Sequence, residues 1–167
     1  MAKDSVFKIK AKADTIPGQG ELAGVKIKAR RRRVSGETQA LAGTKVMVID
    51  DSNTIRRSAE IFLVKAGCEV ILAEDGFDAL SKIADHQPDV IFVDIMMPRL
   101  DGYQTCALIK KNPKFKFTPV IMLSSKDGLF DRARGRMVGS DEYLTKPFTK
   151  ESLLKTVGQY MAQRSVS

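Results

Sequence analysis

Four segments of this chain run from apolar residues into side chains that can do chemistry. Val46-Met47-Val48-Ile49 leads into Asp50-Asp51, and Val90-Ile91-Phe92-Val93 into Asp94. Pro119-Val120-Ile121-Met122-Leu123 leads into Ser124, and Glu142-Tyr143-Leu144-Thr145 into Lys146-Pro147. Three carboxylates brought together repel strongly, since two unit charges about 4 Å apart interact by roughly 4 kcal/mol at an intermediate dielectric. A divalent cation resolves that conflict, and an oxygen-only donor set favours Mg²⁺ over zinc. Lys146 adds a compact, mobile ammonium, and Ser124 a hydroxyl. Mg²⁺, a lysine and a serine hydroxyl around one carboxylate make a site for a phosphoryl group. The carboxylate itself is a nucleophile able to form an aspartyl phosphate.

Taken singly, these residues have plainer roles. Asp51-Ser52 can cap the following helix, Asp94 can be a solvated strand end, and Lys146 a surface charge. Their common placement decides between the readings, and that depends on the elements that carry them. After the first apolar run, Ile55, Ala59, Phe62, Leu63 and Ala66 recur at helical spacing, and Gly67 stops the helix. Val70-Ile71-Leu72-Ala73 reads as a second strand, followed by a helix bearing Phe77, Leu80, Ile83 and Ala84 and closed by Pro88. The third strand ends in Asp94, and a helix from about Gly102 to Lys111 stops at Asn112-Pro113. The fourth strand precedes a helix expected over Leu129 to Val138, ended by Gly139. After the short fifth strand, Thr149 caps a last helix with Leu153, Leu154, Val157, Tyr160 and Met161.

This is (βα)₅. Strands alternating with helices imply an α/β fold with a parallel sheet covered on both faces, and the continuously apolar strand runs agree. Five units are too few for an eight-fold barrel, so the expected sheet is open, five-stranded and doubly wound. In such sheets ligands bind outside the carboxyl ends of the strands. Asp50, Asp51, Asp94, Ser124 and Lys146 all fall on that edge.

Composition narrows the class. With 43% apolar and 29% charged residues the chain can bury a core, and the formal charge of +8 is unevenly spread. Residues 1–43 hold 10 basic and 4 acidic side chains, against 18 and 16 in residues 44–167. No run approaches the length of a membrane-spanning helix, and the N-terminus has no apolar stretch of signal-peptide length. Cys68 and Cys106 form neither a metal spacing nor a disulfide framework. Together these point to a reduced, cytoplasmic protein without a transmembrane segment. Three parts are expected: a basic, flexible extension over residues 1–43, a folded domain over 44–163 and a short tail over 164–167. Lys8-Ile9-Lys10-Ala11-Lys12 and Lys26-Ile27-Lys28-Ala29-Arg30 alternate at strand period and could pair as a hairpin. An isolated hairpin is marginal in water, so the mobile reading is preferred, with the extension dispensable for folding. Its +6 charge suits an acidic partner, DNA or an anionic membrane surface, an attraction that salt would screen.

Asp50-Asp51, the run from Val90 to Pro98, Asp101-Gly102, Ser124 and Lys146-Pro147 together resemble a response-regulator receiver domain over residues 44 to about 163. The stretches Tyr103-Gln104-Thr105-Cys106-Ala107-Leu108-Ile109-Lys110 and Ser124-Ser125-Lys126-Asp127-Gly128-Leu129-Phe130 are similar to the twitching-motility regulators of type IV pilus chemosensory systems. The resemblance, and not the spacing, implies a flavodoxin-like strand order 2-1-3-4-5. It implies that Asp94 accepts a phosphoryl group from a histidine kinase, while Asp50, Asp51 and the backbone carbonyl of Met96 join Asp94 around Mg²⁺. It further implies that Lys146 pairs with the phosphoryl oxygens, that the bond before Pro147 is cis, and that Ser124 hydrogen-bonds the phosphoryl group. Tyr143 is then the aromatic that swings inward, and output leaves through the face of the fourth helix, fifth strand and fifth helix. Ser124 stands where the family often has Thr, which preserves the hydroxyl.

Other features are read as structural. His86 sits where a helix C-terminus favours it, and its being the one histidine argues against most metal hydrolases. Met97 before Pro98 is loop packing rather than a soft metal ligand. Lys110, Lys111, Lys114 and Lys116 are a solvated basic surface. Gly18-Gln19-Gly20 lacks the context of a dinucleotide site. The leading function is a stand-alone phosphorylation switch, expected to carry no C-terminal output domain, to be no enzyme beyond its own phosphorylation and dephosphorylation, and to act on a pilus-motor or signalling protein. The alternative is a nucleic-acid-binding transcriptional regulator using Arg30-Arg31-Arg32-Arg33, disfavoured because no helix-turn-helix or interleaved aromatics accompany the run.

Overall fold

The computed structural model describes residues 41–125 and 131–166, with side chains to residue 163. The basic extension falls outside them as far as residue 40. Ten elements alternate: β1 (Lys45–Ile49), α1 (Asn53–Lys65), β2 (Glu69–Ala73), α2 (Gly76–His86), β3 (Val90–Asp94), α3 (Gly102–Lys111), β4 (Val120–Ser125), α4 (Arg132–Val138), β5 (Glu142–Lys146) and α5 (Lys150–Val166). All pairings are parallel, in the order β2-β1-β3-β4-β5.

Alternation along the strands divides the core. Met47, Ile49, Ile91, Val93 and Met122 point to one face, where Ala79 and Ile83 of α2 and Cys106 and Ile109 of α3 cover them. Val46, Val48, Phe92, Ile121 and Leu123 point to the other, against Leu63 of α1 and Leu153 and Val157 of α5. The three inner strands are therefore buried on both faces, while β2 and β5 at the edges are half-exposed. Both thiols lie free in the core, and burial pushes Cys68 and Cys106 up to about 12.

Every helix begins at the carboxyl edge of the sheet, and each has a polar cap there. Ser52, Asp75 and Asp131 accept from backbone N–H groups three residues on, at 3.3, 2.7 and 3.0 Å. Asp101 and Gln104 cap α3 reciprocally, as do Thr149 and Ser152 for α5. Gly67 and Gly139 take φ of 94° and 89° just past α1 and α4, the left-handed ending that glycine permits. Gln87, before Pro88, takes φ of 47° without being glycine, and its N–H still bonds Ile83 O.

Three boundaries differ from the sequence reading. The fourth helix begins at Arg132 rather than Leu129, because Asp131 caps it; Leu129 and Phe130 lie outside the described residues. The last helix continues to Val166, through most of the expected tail. The domain also starts before residue 44. Leu41 is 3% exposed in the cluster of Leu63, Leu153 and Val157, and Gly43 N–H bonds Gly67 O at 3.0 Å. Residues 1–43 carry no helical stripe, so nothing in the pattern marks Leu41 as a core residue. Leu41→Ala is expected to lower the unfolding free energy by about 2–3 kcal/mol, read as a shifted urea midpoint at unchanged slope. An unmoved midpoint would return Leu41 to the extension.

Candidate functional site

The strand order brings the ends of β1 and β3 side by side, and β4 and β5 follow. Asp50 comes directly after β1, Asp94 ends β3, Ser124 lies near the end of β4 and Lys146 ends β5. Asp50 is fully buried, Asp94 is 3% exposed and Ser124 is 5% exposed, while Asp51 lies at the solvent rim. From β5, Lys146 Nζ reaches past β4 to Asp94 Oδ1 at 3.0 Å and Asp50 Oδ2 at 3.1 Å. One ammonium thus bridges two buried carboxylates from two other strands.

The remaining lone pairs are partly met by backbone. Ser52 N–H donates to Asp50 Oδ1 at 2.8 Å, and Met96 N–H donates to Asp94 Oδ1 at 3.3 Å. Arg56 fixes the peptide of Asp50 by donating to its carbonyl oxygen. Ser124 Oγ donates to Ser125 O at 3.3 Å. Gly102 is obligatory for packing, since a Cβ there would stand 2.4 Å from Asp94 O and 2.7 Å from Ile95 Cα. The Lys146–Pro147 bond is cis.

Charge is in excess here. Burial pushes the Asp94 carboxyl up to about 6; the hydrogen bond from Lys146 pulls the other way, and the charge of Asp50 adds to the rise. Burial works against the Lys146 charge, but the hydrogen bond to Asp94 and the charge of Asp50 outweigh it, so its pKa is raised. Asp50, Asp51 and Asp94 each bring a carboxylate oxygen, all within 4.8 Å of one another. A cluster of hard oxygen donors with surplus negative charge fits a small divalent cation such as Mg²⁺.

The model of the response regulator receiver domain matches residues 46–158. The chain belongs to the response-regulator receiver family. Protein PilG of Pseudomonas aeruginosa is 76% identical over 115 residues, which are 69% of this chain and 85% of that protein. The Vibrio cholerae chemotaxis protein CheY4 superposes with TM-score 0.68 at 37% identity, over 71% of this chain and 99% of that one. A response regulator of Chloroflexus aurantiacus gives the same TM-score at 31% identity, over 72% and 98%. The chain is therefore a receiver of the CheY-like, chemotaxis-like kind, and this is not a typical enzyme family. No helix among the described residues is long and apolar enough to cross a membrane.

This receiver gathers Asp50, Asp51, Asp94, Ser124 and Lys146 on one edge. Met96 lies beside them, its side chain 72% exposed and its N–H turned to Asp94, whereas Met97 is buried in the core. Tyr143 stands apart from the carboxylates, half-buried on β5. Arg132 Nη2 donates to its hydroxyl at 3.0 Å, with the guanidinium carbon 5.1 Å from the ring centroid. The sequence reading missed Arg132, Arg56 and the backbone donors, because these contacts depend on loop paths that no residue spacing reveals. His86 is exposed in the last turn of α2, away from the site.

The raised Asp94 pKa has a thermodynamic consequence. The folded state holds this proton more tightly than the unfolded chain, whose value is near 3.8. The contribution is therefore full below about 3.8 and is lost as pH rises toward about 6. Without divalent cation, urea titrations of wild type minus Asp94→Asn should show stability falling across that window. A difference independent of pH would contradict the shift.

Proposed function

We propose that this receiver is a chemotaxis-like response regulator that accepts a phosphoryl group on Asp94 from a histidine kinase of a chemosensory system. The observation that supports this best is the buried Asp94 carboxylate sharing one ammonium with Asp50. With a pKa near 6, Asp94 is ionised at neutral pH and can act as nucleophile. An Asp94 oxygen forms the bond to phosphorus as the phosphorus–nitrogen bond to the kinase histidine breaks, and the imidazole leaves. Asp50, Asp51, Asp94 and the Met96 carbonyl would hold Mg²⁺, which supplies neutralisation of the phosphoryl oxygens when bound. Lys146, already 3.0 Å from Asp94, pairs with the new oxygens. Ser124 turns its hydroxyl from Ser125 O to the phosphoryl group.

That turn draws the end of β4 inward, and Tyr143 exchanges its contact with Arg132 for the vacated space. The change is a shift between two populations. It reshapes the surface of α4, β5 and α5, where an open groove of ≈ 810 Å³ is lined by residues including Arg132, Arg136, Tyr143 and Phe148. A downstream pilus-motor or signalling protein reads that surface. Likeness to PilG supports control of type IV pilus twitching motility in the cytoplasm. Residues 1–40 serve an acidic partner, and nucleic acid is not the target.

Labelling with acetyl phosphate tests the reading. Asp94→Asn should abolish base-labile label, and undiminished label would remove Asp94 from the role. Asp51→Ala should label about tenfold or more slowly in limiting Mg²⁺, and wild-type rates would show that the acidic pair holds no metal. Lys146→Ala should label yet fail to shift affinity for the downstream partner.

A further inference from the structure

The edge of the sheet opposite the carboxylates carries a loop whose construction the phosphorylation switch does not use. Residues 112–119 join α3 to β4 and contain Lys114-Phe115-Lys116-Phe117. Phe115 is 3% exposed and anchors the loop in the core, whereas Phe117 is 86% exposed. The loop is tightly hydrogen-bonded: Phe115 N–H to Asn112 O at 2.9 Å, Thr118 N–H to Phe115 O at 3.1 Å, and Lys114 N–H to Asn112 Oδ1 at 3.0 Å. Lys110 completes it. Its side chain is 14% exposed, and its Nζ donates to Thr118 O at 2.6 Å and Lys116 O at 3.3 Å, the carbonyls either side of Phe117. Asp141 pairs with the same ammonium at 3.3 Å and accepts from Val120 N–H at 2.8 Å. Lys110 is thus not the solvated surface charge expected from sequence but the clamp that holds Phe117 out in water.

Lys116 Nζ lies 5.6 Å from that ring's centroid, and Lys111 and Lys114, exposed like Lys116, flank the same turn in sequence. Residues 110–118 contain no acidic side chain. On the same edge, Glu69 opens β2, Asp85 and Asp89 precede β3 and the exposed Asp141 precedes β5, while Lys45 and Lys65 lie at β1 and α1. The corner at β4 differs in carrying three exposed lysines beside an exposed aromatic ring. Its one neighbouring carboxylate, Asp141, is already paired with Lys110. We propose that this corner is a docking point for an anionic lipid surface, with Phe117 entering the interfacial layer and the three lysines facing the headgroups.

Size and shape favour a bilayer over a protein partner. A stable protein interface needs about 800 Å² and some twenty residues per partner, and a projecting loop of eight residues, 112–119, offers far less. Partition into a bilayer has no such minimum and needs no matching pocket. Docking by this corner also leaves the Asp94 edge facing away from the surface and open to a kinase.

The full chain has no tryptophan, so Phe117→Trp introduces a sole indole, excited selectively over the three tyrosines. Its emission should shift to the blue with phosphatidylglycerol–phosphatidylcholine vesicles and not with pure phosphatidylcholine. In vesicle flotation, Phe117→Ser should lower partition roughly tenfold, and Lys111→Glu, Lys114→Glu and Lys116→Glu combined should lower it by more than tenfold. Circular dichroism and acetyl-phosphate labelling confirm that the variants stay folded and do not depend on lipid. The +6 charge of residues 1–43 is constant in this series. Equal partition of wild type and Phe117→Ser would assign any lipid binding to that segment and overturn the proposal. A blue shift seen with a protein or nucleic acid but not with anionic vesicles would overturn it as well.

Discussion

One ammonium shared by two buried carboxylates is the constraint on which this domain is built. Lys146 starts at the end of an edge strand and crosses β4 to reach β3 and β1. That reach requires the β2-β1-β3-β4-β5 order, parallel strands ending at one level, and short side chains at the end of β4. Ser124 and Ser125 supply the last. Gly102 lets α3 start directly against the Asp94 peptide, which keeps Asp94 enclosed. Helix caps at five points on the same edge fix where each loop turns, so the carboxylates arrive at set positions rather than wandering.

Enclosure is what makes the cluster responsive. In water, three carboxylates and a lysine would be weakly coupled ions. Buried, each charge is felt by the others, as the raised Asp94 pKa records. Such a site has a deficit of positive charge that a proton, a cation or a rearranged hydrogen bond can meet. In the proposed function the phosphoryl group enters this balance and draws Lys146 and Ser124 toward itself. The core beneath, with inner strands buried on both faces, keeps the framework rigid while the loops above respond.

Much of this was legible in the sequence, because it rests on local pattern. The apolar runs gave strands within a residue or two, and the residues that end them gave the site. The cap at Ser52, the stop at Gly67 and the limits Gly102–Lys111 of α3 follow from single-residue chemistry. What stayed hidden depends on partners distant in the chain. Leu41 reads as one of many apolar residues in a basic segment without periodicity until α1 and α5 enclose it. Lys110 reads as one of four surface lysines until Asp141, thirty-one residues on, meets it. Leu129 and Phe130 drew the expected helix start too early, because apolar periodicity outweighed the cap at Asp131. Tyr143 was found through family resemblance, but its contact with Arg132 follows only from where α4 begins.

Lys146 and Lys110 show how similar parts serve different ends. Each is a lysine with side-chain exposure near 15%, and each bridges an aspartate to a second group. Lys110 meets one carboxylate and two backbone carbonyls, so its surroundings are electrically balanced once it is in place. Nothing nearby gains by its moving. Lys146 meets two carboxylates with a third at the rim, so its surroundings remain negative after it has bound. Any added cation or proton competes with it, and any added oxygen acceptor can redirect it. A balanced buried lysine fixes a loop; an outnumbered one is free to change partners, and that imbalance separates a structural clamp from a switch.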